Sequence, residues 1–351
     1  MSEEVERNKN NKKDIEGLTS KFFQAGLVFS LAIAGLFLAL GLSVSLGVTD
    51  IQLKTVWDSI FAFDSGVTNH QVIRELRLPR AFGAALVGSF LAVSGAVMQG
   101  LTRNPLASPS IMGVTHGAAF ALIIGLVFFP SMTNLGMTIS AFIGAGLAVL
   151  IVFGVGSFSK GGLTPVKLAL AGVAVGGMLS SLSSAISLHF QVAKQMSFWY
   201  AGGLTATDWL SVKILLVVGL AGLTLALFLS RAVTILSLGE DVSKGLGQNT
   251  FVVKSLGIVV VFLLTGAAVS VAGTVGFVGL VIPHMTRALV GTDYRLIIPV
   301  SAVLGGLLLV LSDIGARLVN APFETPVGAI TACIGVPFFL YLARGEGRGM
   351  E

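Results

Sequence analysis

GSFLAVSGAVMQGLTRNPLASP, residues Gly88–Pro109, is apolar and built of small residues in its first half. Its second half ends in a charge, a polar turn and prolines, where a membrane-crossing helix is expected to stop. Glycine and serine at this density let helices approach closely and line a path, whereas lipid-facing positions gain little from them. Immediately upstream stand Pro79 and three arginines, Arg74, Arg77 and Arg80.

The rest of the chain has the same character. Of 351 residues, 54% are hydrophobic, 11% are charged and 44 are glycine, too apolar a balance for a soluble chain of this length. A span takes about 20 apolar residues. Apolar runs fall at 22–48, 81–102, 111–129, 136–157, 166–190, 211–230, 251–271, 275–290, 296–318 and 326–343. The fold expected is therefore all-α, a polytopic membrane protein with about ten transmembrane helices over 22–343. Breaks at 130–134, 159–165 and 291–295 are turn-like, while those at 102–110 and 271–276 are weaker and predict short or kinked spans. Residues 1–21 are polar with mixed charge and lack the order of a signal peptide, so they read as a disordered cytoplasmic tail. Residues 344–351 form a second short tail.

The net charge of +5 comes from basic residues that flank apolar runs, which speaks of orientation and not of nucleic acid. With ten spans and the N-terminus inside, 15 of the 22 Lys and Arg fall on the inner side, so both termini are expected to be cytoplasmic. Arg74, Arg77 and Arg80 oppose that rule, as does Arg317 at the end of the ninth run. They suit either docking of an anionic partner or anchoring of helix ends at the interface. A shift of 178 residues aligns Leu86 with Leu264, Gly88 with Gly266, Val93 with Val271, Gly95 with Gly273, Val97 with Val275 and Pro105 with Pro283, a faint inverted repeat of the kind transporters use.

Asp313 is the one acid well inside an apolar run, and Arg317 follows four residues later on the same helix face. An unpaired carboxylate there costs about 3 kcal/mol, so an Asp313–Arg317 pair is expected, with a proton-relay carboxylate as the alternative. The fifth run carries Gly172 and Gly176 in a GxxxG spacing, then hydroxyls that include Ser180 and Ser184. This helix is read as a dimer interface or the wall of a path, against simple internal packing. Between the sixth and seventh runs, 236–247 has Leu238, Val242 and Leu246 on one stripe, with Gly239, Glu240, Asp241 and Lys244 off it. Two acids suit an anionic membrane surface poorly, so a partner groove is the better home for this amphipathic turn.

Other chemistry is missing from the sequence. No phosphate-binding loop of the Walker type occurs. His70, His116, His189 and His284 are scattered, without metal-ligand spacing, and His116 and His284 read as hydrogen-bonded packing residues. Cys333 cannot form an intrachain disulfide and is expected to be packed and inert. No catalytic residue, cofactor or metal site is expected.

In order along the chain stand Arg77-Leu-Pro-Arg80, Ser94-Gly-Ala-Val-Met-Gln99, Arg103-Asn-Pro-Leu-Ala-Ser-Pro109, Leu238-Gly-Glu240, Gly276-Phe-Val-Gly-Leu-Val-Ile-Pro-His284 with Arg287, Asp313-Ile-Gly-Ala-Arg317 and Glu324-Thr-Pro-Val-Gly328. In these motifs the chain resembles the permease subunits of the iron-chelate (siderophore) and cobalamin ABC importers, over about residues 30 to 343. The resemblance implies a type II ABC importer architecture. Two permease subunits, identical or homologous, share one path, with two ATPase subunits inside and a substrate-binding protein outside the bacterial cell membrane. It implies that Arg77, Arg80 and Arg317 dock the binding protein and that 236–247 is the segment coupling to the ATPase. It also implies that the fifth span lines the path near the dimer axis. Thr115-His116 departs from the family pattern. The expected cargo is an iron(III)–siderophore, with haem or cobalamin as alternatives, and a proton- or sodium-coupled secondary transporter is the alternative of a different class.

Overall fold

The structure, a computed structural model, describes residues 23–47, 51–157 and 164–344, apart from 53, 342 and 343. The expected tail at 1–21, most of the 159–165 turn and all of 344–351 but Arg344 lie outside the described residues. Every apolar run carries a helix. In chain order the elements are α1 (Ser2–Ser45), α2 (Leu53–Phe61), α3 (Thr68–Val72), α4 (Leu78–Thr102), α5 (Val114–Phe128), α6 (Asn134–Phe158) and α7 (Pro165–His189). They continue as α8 (Ala193–Ala201), α9 (Trp209–Ser237), α10 (Glu240–Gly245), α11 (Thr250–Ala272), α12 (Val278–Val290), α13 (Tyr294–Leu318) and α14 (Val327–Glu346). Among the described residues, seven helices are long and apolar enough to cross a membrane, while α5, α12 and α14 are shorter apolar helices.

Helix starts follow their capping residues. Thr164, Asp208, Asn249 and Asp293 each accept a backbone N–H in the first turn of the helix that follows, which satisfies one of its orphan donors. The weak break at 271–276 is real: Gly273 and Phe277 adopt positive φ (65° and 67°), and α12 begins only after them. With 13 residues, α12 is about 20 Å long, less than the hydrocarbon thickness of a bilayer.

The opening stretch lies at the centre of the molecule. α4 packs against α13, α11, α9, α12 and α1, and 83% of its apolar window is buried. Its glycines mark backbone crossings. A Cβ on Gly88 would sit 2.2 Å from the Gly305 carbonyl of α13, and one on Gly95 would sit 1.9 Å from the Gly279 carbonyl of α12. Only hydrogen fits at either position, so the small residues serve close helix packing.

The stretch between the first two runs is itself structured. There α2, α3 and a π-helical turn (Ile73–Arg77) fold against the end of α1 through Val44, Ile51, Val56 and Ile73. The 178-residue repeat does not match local structure: Val97 is helical while Val275 lies in the 273–277 break, and Pro105 lies in a loop while Pro283 is inside α12.

Candidate functional site

The two ends of α4 carry the polar groups singled out in the sequence. At its first turn the structure brings Arg77, Arg80 and Arg317 together, but with their guanidinium groups turned to partners within the chain. Arg77 Nη1 donates to the carbonyls of Val44 and Ser45, both at 2.8 Å. Arg317 Nη1 donates to the carbonyls of Ser43 and Leu46, both at 2.9 Å, and its Nη2 to Ser43 Oγ at 2.8 Å. These are the last carbonyls of α1, which no helical N–H can reach. Two cations at a helix C-terminus also oppose the negative end of its dipole. With 9% and 5% exposure, Arg77 and Arg317 are buried capping groups, and neither offers a free guanidinium to a docking partner. The exposed arginine of the cluster is Arg74, which stacks over the Phe63 ring at 4.5 Å.

Arg80 is the hub of an ion network. It donates to both oxygens of Asp313, with Nε at 3.0 and 3.2 Å and Nη2 at 2.9 Å, and its Nη1 reaches Glu324 at 2.7 Å. Asp313 is fully buried and also lies 3.3 Å from Arg317 Nε. The expected Asp313–Arg317 pair therefore exists, but the tighter partner of Asp313 is Arg80, from another helix. Thr205 Oγ1 donates to the second oxygen of Glu324 at 2.6 Å. Burial alone would raise Glu324, but the hydrogen bonds from Arg80 and Thr205 hold its carboxyl below the usual range. The network borders a pocket of about 500 Å³ lined in part by Phe198, Trp199, Thr205 and Pro326. Thr205 was illegible in advance, since it lies in an ordinary polar loop.

At the other end α4 stops at Arg103, whose φ of 53° breaks the helix. Beside it lies the amphipathic segment, in two pieces rather than one helix over 236–247. Leu236 belongs to α9 and is buried, Gly239 turns the chain at φ 138°, and α10 covers only Glu240–Gly245. The stripe is nonetheless outward: Leu238, Val242 and Leu246 are 67%, 48% and 66% exposed. Asp241 is exposed as well. Glu240 faces inward, paired with Lys254 of α11 at 2.8 Å and with Lys244 at 3.2 Å. The Lys254 hydrogen bond is the main cause of a lowered Glu240 pKa, burial opposing it and Lys244 adding to it. Ser243 is buried and hydrogen-bonded to Gln248, whose amide donates to the Ala232 carbonyl of α9. A rigid platform thus presents three apolar side chains to the outside.

Along α7 the glycines serve internal packing. A Cβ on Gly172 would lie 1.7 Å from the Ile111 carbonyl, and one on Gly176 would lie 3.0 Å from His116 Nδ1 of α5. Both glycines thus face other parts of the same chain. Ser180 is half-buried and Ser184 exposed, on a helix only a third of whose apolar window is buried. Its outward face holds Leu170, Val173, Met178 and Leu182, with Gly177 open to its surroundings. His116 Nδ1 is buried without a hydrogen-bond partner among the described residues, so His116 packs without the expected hydrogen bond at that atom. Cys333, expected to be packed, is exposed on α14.

Comparison with known proteins sets these features in a lineage. Residues 35–345 match the model of the FecCD transport family. The chain is 59% identical, over 95% of its length and 86% of the relative's, to the iron(3+)-hydroxamate import system permease protein FhuB of Bacillus subtilis. It is 40% identical to the cobalamin import system permease protein BtuC of Halobacterium salinarum, over 79% of this chain and 74% of that one. A solved chain assigned to the metal-chelate type of ABC transporter, in an inward-facing conformation, superposes with a TM-score of 0.80 at 29% identity, covering 91% of this chain and 99% of that chain.

Proposed function

The chain belongs to the FecCD transport family, and on that premise we propose that it is the membrane permease of an ATP-driven importer of iron(III)–siderophore chelates, most specifically of iron(III)–hydroxamates. The observation that carries the cargo is the 59% identity to an iron(3+)-hydroxamate permease, well above that to the cobalamin permease. Family membership carries the permease role. The hydrolysis of ATP belongs to two separate ATPase subunits, and a second permease, identical or homologous, completes the path.

Transport runs by alternating access in a bacterial cell membrane, with both termini cytoplasmic. A loaded binding protein docks at the Arg80 end of α4. In this proposal Arg77, Arg80 and Arg317 build the docking surface from within, and exposed Arg74 and the Arg80–Glu324 pair form its charged contacts. The ATPase grips Leu238, Val242 and Leu246 at the opposite end. Because α10 is stapled to α11 by Glu240–Lys254 and follows α9 directly, a pull on the stripe moves both helices, which pack on α4. The outward face of α7, with Ser184, meets the second permease or lines the path.

A gradient-driven secondary transporter needs a titratable group free to exchange protons or bind ions. Asp313, the candidate, is locked between two arginines, which argues against that reading. The test is competition. Vesicles carrying the whole importer should take up iron–hydroxamate, with excess cobalamin or haem leaving the rate unchanged. Competition by cobalamin at equal concentration would refute the proposed cargo.

A further inference from the structure

A pocket of about 260 Å³ opens at the Arg103 end of α4, among others between Gln99, Arg103, Ser237, Leu238, Arg287 and Tyr294. Two arginines line it, and no aspartate or glutamate does. Arg287 meets the uncharged hydroxyl of Tyr294, but its Nη2 is buried without a hydrogen-bond partner among the described residues, and so is Gln99 Oε1. Among the described residues neither Arg103 nor Arg287 forms an ion pair.

Two like charges in one pocket repel, and a buried donor without an acceptor is destabilising. An oxyanion relieves both, and the planar guanidinium fork fits a carboxylate best. The rim says where the carboxylate comes from. Leu238, the exposed first residue after α9, lines this pocket and also begins the apolar stripe. Whatever covers the stripe therefore also covers the mouth of the pocket.

We propose that an aspartate or glutamate of the ATPase subunit enters this pocket and pairs with Arg103 and Arg287. The inference rests on the coupling role given above to the Leu238–Val242–Leu246 stripe. It adds a second, polar grip that holds α4 and α12 directly, where the stripe reaches only α9 and α11.

The test uses the assembled permease–ATPase complex. Arg103→Lys and Arg287→Lys, made singly, keep the charge and supply an amine. A zero-length carbodiimide then joins that amine to a touching carboxylate as an amide, and mass spectrometry maps the bond against the unsubstituted complex. A benzophenone side chain at Leu246 reports independently whether the ATPase covers α10. The expected result is a new amide to an acidic residue of the ATPase from one or both lysine variants. The double variant Arg103→Gln/Arg287→Gln should bind the ATPase about tenfold more weakly, the worth of one charge-assisted pair. Capture of the ATPase at Leu246 with no amide from either variant, in complexes that elute as intact assemblies, would overturn the pocket assignment alone. Loss of capture at Leu246 as well would overturn the coupling role on which it rests.

Discussion

Arg80 and Asp313, 233 residues apart in the chain, form a bidentate ion pair at 2.9 to 3.2 Å that ties the start of α4 to the end of α13. The carboxylate is wholly buried and shared with Arg317. Breaking such a pair by removing one partner strands the others in a medium that cannot solvate them, at a cost of about 3–5 kcal/mol. Asp313→Asn should therefore lower the yield and melting temperature of the purified permease, while the folded fraction keeps ATP-dependent uptake. Normal stability with lost uptake would instead favour a relay role for the carboxylate.

Charge reversal should divide the arginines by burial. Arg74→Glu, at an exposed site, should weaken binding-protein docking while the amount of folded permease stays constant. Arg77→Glu and Arg317→Glu should reduce the folded amount first, because each removes two donors from the last carbonyls of α1. Fluorescence-detected size exclusion reads folding, and titration with labelled binding protein reads docking.

On α7, Gly172→Ala should be poorly tolerated, since its methyl would meet the Ile111 carbonyl at 1.7 Å. Overpacking of this kind costs about 1–3 kcal/mol or more. Gly177→Ala meets no atom within 4 Å in one subunit, so it should leave the subunit fold intact. If the outward face of α7 meets a second permease, Gly177→Ala should still shift the dimer–monomer balance, which light scattering in detergent measures.

Replacing Leu238, Val242 and Leu246 with aspartate leaves the Glu240 and Ser243 contacts of α10 in place, because all three side chains are exposed. The altered permease should fold normally but fail to couple hydrolysis to uptake. Measured together, ATPase rate and transport rate should part company, and normal coupling would refute the assignment.

The Glu240–Lys254 staple gives α10 a pH dependence of defined sign. The pKa of Glu240 is lower in the folded protein than in the unfolded chain, so the stabilisation is complete above the unfolded value of about 4.3. It is lost as pH falls through the lower folded value. A fluorophore on Leu246→Cys, in a Cys333→Ser background, should gain mobility in acid below that range, and Glu240→Gln should show the mobile signal already at neutral pH.

Much of this architecture was legible because membrane helices are written in composition. Ten apolar runs gave ten helices, and the small residues of Gly88–Pro109 foretold the close crossings at Gly88 and Gly95. The stripe of α10 was legible from its spacing of four. What stayed hidden was direction. Spacing places Gly172 and Gly176 on one face of α7 but does not say whether that face meets α5 or another subunit. Arg77 and Arg317 show the same limit, since a cation near a helix end suits an acidic partner and the orphan carbonyls of α1 equally well. The α2–α3 region escaped because its helices are too short to show a period. The capping of α1 depends on contacts between residues more than 30 apart.

The most direct measurement of the central claim is uptake of radiolabelled iron, bound to a hydroxamate siderophore, into proteoliposomes carrying this permease with its binding protein and ATPase partners. Uptake should require ATP, vanish with a hydrolysis-dead ATPase and persist when proton and sodium gradients are collapsed. Uptake that follows an imposed gradient without ATP, or that survives the dead ATPase, would contradict the account.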